Sequence, residues 1–206
     1  MRVLALLAFA PIAVPQMVSG QTDEIQVYDG RLAAKGRFNL TLHNNFIPEG
    51  LRTPAFAGAL LADRSLNGVP EWAYGVNFEF SYNARHWDPK RFTSEVRPII
   101  GWHLHPVDII VNPIFDTAYD GLENLDFAPA TRVACELSRT WRLAIEEYDD
   151  FGPLHQFSAG NQQAHQLYGV VDHTTKSLEI EAGAGIGLTD ASDRMTLKLI
   201  LSRDLN

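Results

Sequence analysis

The chain has 206 residues, with 17 basic and 25 acidic side chains and a formal net charge of −8 at pH 7. This length suits one domain, or one domain with an extension. The negative balance argues against nucleic acid or anionic lipid headgroups as the main partner, and no basic cluster offsets it. The single cysteine, Cys135, leaves no pair for an intrachain disulfide.

The first twenty residues have the three parts of a secretory signal peptide. Arg2 supplies a basic start, residues 3–14 form an apolar run, and small residues occupy 18–20. A membrane anchor is disfavoured because Pro11 and Pro15 interrupt the run, which is also shorter than the ~20 residues that a spanning helix needs. We therefore predict cleavage after residue 20 and export of the mature chain.

Most of the mature chain alternates between apolar and polar residues, as β-strands do. The clearest run is Tyr74–Asn83, which is apolar at every even position and small or polar at every odd one. A shorter run predicts a strand near 38–43. In a later strand, Glu147 and Tyr148 break the alternation, which we interpret as a β-bulge. Further strands are predicted over 96–104, 107–115, 125–137, 141–148, 167–173, 178–188 and 195–201.

The connections between these strands alternate in length. Those near His105, at 138–140 and at 173–176 are short, whereas 116–124 and 150–164 are longer and rich in Gly, Asp, Asn and Gln. Bacterial outer-membrane barrels have this asymmetry. Their strands have about ten residues. We predict an all-β, antiparallel up-and-down transmembrane β-barrel of 8 to 10 strands, complete or shortened. A soluble exported ligand-binding barrel, apolar inside, is the alternative.

The predicted chain has three parts. Residues 1–20 are the signal peptide, 21–73 an N-terminal extension with one strand and a long loop, and 74–206 the β-barrel. Eight strands fall after residue 74, and the strand near 38–43 would be a ninth. Such barrels usually avoid odd numbers. The extension is therefore expected to lie outside the barrel, occupy its lumen or pair irregularly. Aromatic residues near strand ends suit interfacial girdles: Tyr74, Tyr82, Trp102, Trp141 and Tyr168.

Four stretches carry a resemblance to a known family. They are RFNLTLHNNF (37–46), NGVPEWAYGV (67–76), NFEFSYNARHWDPKRFTSEVRPIIGWHL (77–104) and SDRMTLKLILSRDL (192–205). Over nearly the whole mature chain, the sequence resembles a family of uncharacterised bacterial outer-membrane β-barrel proteins. The resemblance implies location in the bacterial outer membrane after signal-peptide cleavage. It also implies outer-membrane lipid and the barrel-assembly machinery as partners.

The chain departs from the family pattern at two places. In the relatives, a turn and further strands separate the segment like PEWAYGV from the segment like YGVNFEFSYN, whereas here the two share Tyr74–Val76. We interpret this as an internal deletion that shortened the barrel. The resemblance also implies a final aromatic residue that the assembly machinery recognises, whereas this chain ends in Leu205 and Asn206.

Ten charged residues share the polar face of the predicted strands. They are Glu79, Glu95, Arg97, Arg132, Glu136, Arg142, Glu146, Glu179, Glu181 and Lys198. Inside a small barrel they are expected to pair, because an unpaired charge in a poorly hydrated lumen is costly. Small residues on the same face, such as Ala130 and Gly185, suit a crowded lumen. The predicted role is structural, or a narrow polar passage for a small solute; the oligomeric state is left open.

No catalytic, cofactor-binding or metal-binding residues are assigned, and no cofactor is expected. His103 and His105 flank one turn, but no Cys or carboxylate completes a spaced set of metal ligands. Ser81 and Ser202 lie on the polar face, and no nucleophile-elbow motif occurs. A lipid-modifying outer-membrane enzyme is the second alternative function.

Overall fold

A computed structural model of the chain describes residues 25–28, 39–49, 56–59, 72–82, 90 and 92–204. The predicted signal peptide, residues 1–20, lies outside the described residues. Within the described ranges, no helix is long and apolar enough to cross a membrane.

The described chain is all-β, as predicted. A short 3-10 helix, Leu122–Asn124, lies between β6 and β7. The strands are β1 (Asn39–Glu49), β2 (Phe56–Ala59), β3 (Trp72–Tyr82), β4 (Phe92–Leu104), β5 (Val107–Asn112), β6 (Phe115–Thr117), β7 (Asp126–Phe127), β8 (Ala130–Glu136), β9 (Trp141–Asp150), β10 (Ala164–Thr174), β11 (Glu179–Gly187) and β12 (Met195–Asp204).

All strands belong to one antiparallel sheet, ordered β2-β1-β12-β11-β10-β9-β8-β5-β4-β3, with β6 beside β4 and β7 beside β6. β6 continues β5 and β7 continues β8, because the pairing register is the same on both sides of each gap. Pro113 lies in the first gap and Pro129 in the second. Proline has no N–H to donate to a ladder, which explains both interruptions. The twelve assigned strands therefore act as ten up-and-down strands.

Ten strands is the upper end of the predicted range, but the described sheet is not closed into a barrel. Its two ends are β2 and β3, and no described residues pair across them. Eight of the ten strands follow residue 71, yet β12 pairs with β1 rather than with β3, so this group does not close on itself. β1 and β2 form a hairpin within the predicted N-terminal extension. The sequence predicted β1 alone.

The connections have the predicted asymmetry. At one end of the sheet β4 and β5 are joined by two residues, and β8–β9 and β10–β11 by four each. At the other end thirteen residues join β9 to β10 and seven join β11 to β12. We call these the short-turn end and the long-loop end.

The two faces of the sheet have opposite polarity. The outward face carries exposed apolar side chains on strand after strand: Tyr74 is 90% exposed and Phe80 is 79% exposed. The inward face carries fully buried charge, with Arg97 at 0% and Glu146 at 0%. A soluble protein has the reverse arrangement, with charged side chains almost always at the surface.

β9 runs without the bulge that its sequence predicted. Glu147 lies opposite Thr131, and Tyr148 opposite Ala130, in the register of the preceding residues. Glu147 is therefore outward and exposed, whereas Tyr148 is inward and 3% exposed. The alternation in polarity breaks for two reasons: the outward apolar band on β9 ends after Ile145, and the interior accepts a tyrosine.

Tyr168 lies inside the curved sheet, which corrects its prediction as a girdle residue. Its side chain is 1% exposed. The Tyr168 and Tyr148 rings pack edge to face with centroids 5.3 Å apart. Opposite Tyr168 on β11 is Gly185, where an added Cβ would come within 2.4 Å of the Tyr168 ring. Gly185 therefore leaves the space that the tyrosine ring occupies.

The substitution Gly185→Ala should destabilise the fold by about 1–3 kcal/mol, because the added methyl group would overpack the interior against the Tyr168 ring. Gly169→Ala is the matched control, since nothing lies within 4 Å of a Cβ added at that outward position. The control should change the free energy of unfolding by less than about 0.5 kcal/mol. Urea unfolding followed by tryptophan fluorescence measures both; equal effects would show that Tyr168 does not need the gap.

Candidate functional site: the charged interior

Glu146 on β9 is the centre of the buried charges. One carboxylate oxygen accepts a hydrogen bond from the Arg132 guanidinium, which lies directly opposite on β8. The other oxygen accepts from the Lys198 ammonium and, at 2.7 Å, from the Tyr148 hydroxyl. Glu146 therefore has two cationic partners and a neutral one. A carboxylate can be buried only with such compensation.

Arg132 holds together two carboxylates that would otherwise repel each other. Asp172 on β10 and Glu181 on β11 are direct cross-strand neighbours, and like charges in that position are destabilising. One Arg132 nitrogen donates to Asp172, and the other donates to Glu181 at 3.1 Å. Lys198 donates to Glu181 at 2.6 Å. Three carboxylates thus share two cations.

Lys198 shows how strongly the sheet curves. It lies on β12, three strands away from Glu146 on β9, and in a flat sheet these strands would be about 14 Å apart. Direct contact between the two side chains requires a concave inner face. Gly183, opposite Lys198 on β11, leaves room for the lysine stem, because an added Cβ would lie 3.2 Å from Lys198 Cε.

Arg97 on β4 forms a second interior centre. Its Nε donates to Glu95 at 2.5 Å, and its side chain is fully buried. The guanidinium also lies over the Tyr28 ring, 4.5 Å from the centroid. Arg97 therefore connects the sheet to a segment that precedes all the described strands.

That segment is Ile25–Tyr28, which we call the N-terminal strap. It has no regular secondary structure, and it lies against the inner face of the sheet. Asn112 on β5 receives a hydrogen bond from the Tyr28 N–H at 2.7 Å and donates to the Tyr28 carbonyl at 3.1 Å. Val27, 4% exposed, belongs to the interior apolar cluster. The strap belongs to the predicted N-terminal extension and lies on the concave inner face, whereas β1 of the same extension pairs with β12.

The structure brings six of the ten predicted charged residues into these two centres: Glu95, Arg97, Arg132, Glu146, Glu181 and Lys198. Glu79 is half-buried on β3 opposite Glu95. Arg142 is half-buried opposite both Glu136 and Asp172.

Two of the ten predicted residues lie at the short-turn end. Glu136 is 3.6 Å from the His105 ring, and Glu179 is exposed at the start of β11. His103, the other histidine at this turn, contacts Asp108 at 2.9 Å.

Sequence reasoning missed Asp172 and Tyr148. Asp172 is in the strand with the least regular alternation, and Tyr148 was interpreted as part of a bulge. It also missed Asp116 and Asp126, which continue from the predicted Glu95 as a row of acids across β4, β6 and β7 toward the long-loop end. Asp116 and Asp126 share the polar parity, which was the available signal. In the described part of the chain, no group of three or more His, Cys, Asp or Glu residues is arranged to hold a metal ion.

Aromatic residues mark both ends of the outward face. At the short-turn end Trp72 packs on Trp102 with centroids 5.0 Å apart, and Trp141 packs on His173 at 4.1 Å. At the long-loop end the aromatic rings come from connections as well as strands. They are Phe115, Phe127, Phe151 and Phe157, whose centroids are 5.3–6.2 Å from their neighbours.

An ion pair joins two segments at the long-loop end. Lys90 donates to Asp120 at 2.5 Å. This hydrogen bond lowers the pKa of the exposed Asp120 carboxyl below its ordinary 3.8.

One acid–histidine pair bears on the enzymatic alternative. His165 Nδ1 lies 2.5 Å from Asp149, on the outward face near the long loops. The other ring nitrogen of His165 is 3.3 Å from the Gln163 side-chain oxygen. The nearby Ser192 hydroxyl is engaged with the His165 backbone and Thr189. Among the contacts described for the His165 ring, none is with a hydroxyl group.

The chain matches no protein-family model, and no curated protein is significantly similar to it.

The substitution Glu146→Gln should lower the free energy of unfolding by about 3–5 kcal/mol, because it leaves the buried charges of Arg132 and Lys198 undercompensated. Its matched control is Glu147→Gln, the exposed neighbour on the same strand, which should change stability by less than about 0.5 kcal/mol. Urea titration at low and at 1 M salt measures both. The cost at Glu146 should persist in salt, since buried pairs are weakly screened. A cost that disappears in salt would contradict the buried network.

Proposed function

We propose that the chain is an outer-membrane protein that crosses the bilayer as a curved up-and-down β-sheet, with a structural role and a sealed interior. The observation that carries this proposal is the inverted polarity of the sheet. Arg97, Glu146 and Lys198 are buried on the inward face. The opposite, outward face carries a band of exposed Tyr, Phe, Leu, Ile and Val side chains. In water, an apolar patch of this extent is unfavourable and promotes aggregation. In a bilayer it is the required surface.

Two further observations support a membrane location. Aromatic pairs lie near both ends of the outward face, as in interfacial girdles. The outward band on β9 also changes from Ile145 to the exposed Glu147 within one outward position, as expected where hydrocarbon gives way to headgroups. The resemblance to outer-membrane barrel proteins points to the same compartment.

A sheet in lipid cannot leave a long edge unpaired, because each unsatisfied backbone group in hydrocarbon costs several kcal/mol. The proposal therefore includes closure of the seam between β2 and β3, which are consecutive among the described strands. β2 has four residues and β3 has eleven, so β2 alone covers only part of the β3 edge. The internal deletion that we infer from the resemblance would remove strands next to this seam and would explain the unequal edges.

The soluble exported barrel is the weaker alternative. A ligand-binding barrel of that type has an apolar cavity inside and charges outside. Here the interior holds ion pairs, tyrosines and the N-terminal strap, and it has the fully buried side chains of Arg97, Asn112 and Glu146. Because these groups fill the interior, they also favour a structural role over a narrow polar passage.

The substitution Leu143→Arg should destabilise the protein folded in phospholipid vesicles by about 2–4 kcal/mol, since Leu143 lies inside the outward apolar band. Glu147→Arg, at the edge of that band on the same strand, is the control and should cost about 0–1 kcal/mol. Urea unfolding from the vesicles measures the difference. Recovery of the wild-type chain from cells as a folded species soluble without detergent would refute the membrane location.

Wild-type protein reconstituted in a planar bilayer should give no conductance steps above the bare-membrane leak, because the strap and the ion pairs fill the interior. The measurement is single-channel recording, with folding verified by heat-modifiable electrophoretic migration of the same sample. Stable ohmic steps from folded protein would favour the narrow polar passage over the structural role.

A further inference from the structure

The N-terminal strap is held by side chains that contact its main chain. Arg97 donates to the Gln26 carbonyl at 2.8 Å, and Lys198 donates to the Ile25 carbonyl at 3.4 Å. Asn112 makes two further hydrogen bonds, one to the N–H and one to the carbonyl of Tyr28. All four bonds join sheet side chains to strap backbone atoms, so they do not depend on which side chains the strap carries.

The three anchoring side chains come from distant parts of the sheet. Arg97 and Asn112 lie on the neighbouring strands β4 and β5, whereas Lys198 lies on β12. The strap therefore bridges two regions of the concave face that are separated by four strands in the sheet order. Arg97 and Asn112 are fully buried with the strap in place, so they are desolvated in an arrangement that matches a peptide backbone.

Three strap side chains contribute to recognition in this groove, because Ile25 and Tyr28 pack against the interior apolar cluster to which Val27 belongs. Val27 packs into an apolar cluster that includes Ile99, Ile110 and Ile114. Tyr28 places its ring under the Arg97 guanidinium. The groove therefore accepts an apolar residue at the position of Ile25, a small apolar residue at that of Val27 and an aromatic residue directly after it.

We propose that the inner face contains a binding site for an extended peptide, and that the strap occupies it in cis as a built-in competitor. A tethered segment has a millimolar effective concentration. A peptide in trans therefore enters only when the strap is weakened or displaced. The groove is part of the inner face, so this inference does not depend on a membrane location.

The first test uses the full chain with Val27→Asp, which disfavours return of the strap to its apolar pocket. The probe is a fluorescein-labelled peptide of residues 21–30, QTDEIQVYDG, and the readout is fluorescence anisotropy. The folded wild-type chain should not bind it, whereas the folded V27D chain should bind it saturably. A peptide carrying the same Val27→Asp change is the control and should not bind.

Adding Asn112→Ala to the V27D chain should weaken binding about tenfold or more. A folded V27D chain that ignores the peptide, or equal binding by both chains, overturns the proposal.

A second test applies even if V27D does not fold. In a Cys135→Ser background, Val27→Cys supplies the one thiol, and a water-soluble maleimide measures its accessibility. Labelling should be slow in the folded chain and at least tenfold faster with Asn112→Ala. Asn124→Ala, a change in the exposed 3-10 helix far from the strap, is the matched control and should leave the rate unchanged. Equal rates with and without Asn112 would show that Asn112 does not hold the strap, and would overturn the proposal. Membrane insertion is measured separately in vesicles.

Discussion

Compensation of the buried Glu146 carboxylate is the constraint on which the rest of the structure depends. A desolvated charge is tolerated only with well-placed partners, and those of Glu146 come from β8, β9 and β12. Lys198 can meet Glu146 only if the sheet curves strongly, and curvature crowds the inner face. The small residues opposite the large ones follow from that crowding: Gly183 leaves space for Lys198 and Gly185 for Tyr168.

The same constraint links the interior to the outward face and to the N-terminal strap. Once charges line the concave side, the period-two alternation of a strand places the apolar side chains on the convex side, where they need an apolar environment. The strap then accepts hydrogen bonds from inner-face N–H groups that the ion pairs do not use, because Arg97, Asn112 and Lys198 all donate to its backbone carbonyls. The proposed structural membrane role and the proposed peptide groove therefore rest on the same filled, polar interior.

Much of the fold could be predicted because alternation is local. Runs such as Tyr74–Asn83 located the strands, and connection lengths predicted which strand ends lie together. The failures have physical causes. Tyr148 looked like a bulge because the outward polarity changes at Glu147, although the register is continuous. Asp172 was overlooked because its strand alternates weakly, yet it shares Arg132 with Glu146 and Glu181. β2 is only four residues long, too short for a clear pattern.

The sequence by itself determined that each strand has a polar and an apolar face, and in what order the strands follow, because both properties depend on neighbours along the chain. Alternation alone could not determine which face is inside, since it is the same for either direction of curvature; the prediction of a charged interior came from the connection lengths and the small residues on the polar face. Only the tertiary structure decided that the charged face is concave, that β12 pairs with β1, and that the strap lies against Asn112. These contacts join residues far apart in sequence. They depend on how far side chains reach across a curved sheet, and no local pattern records that distance.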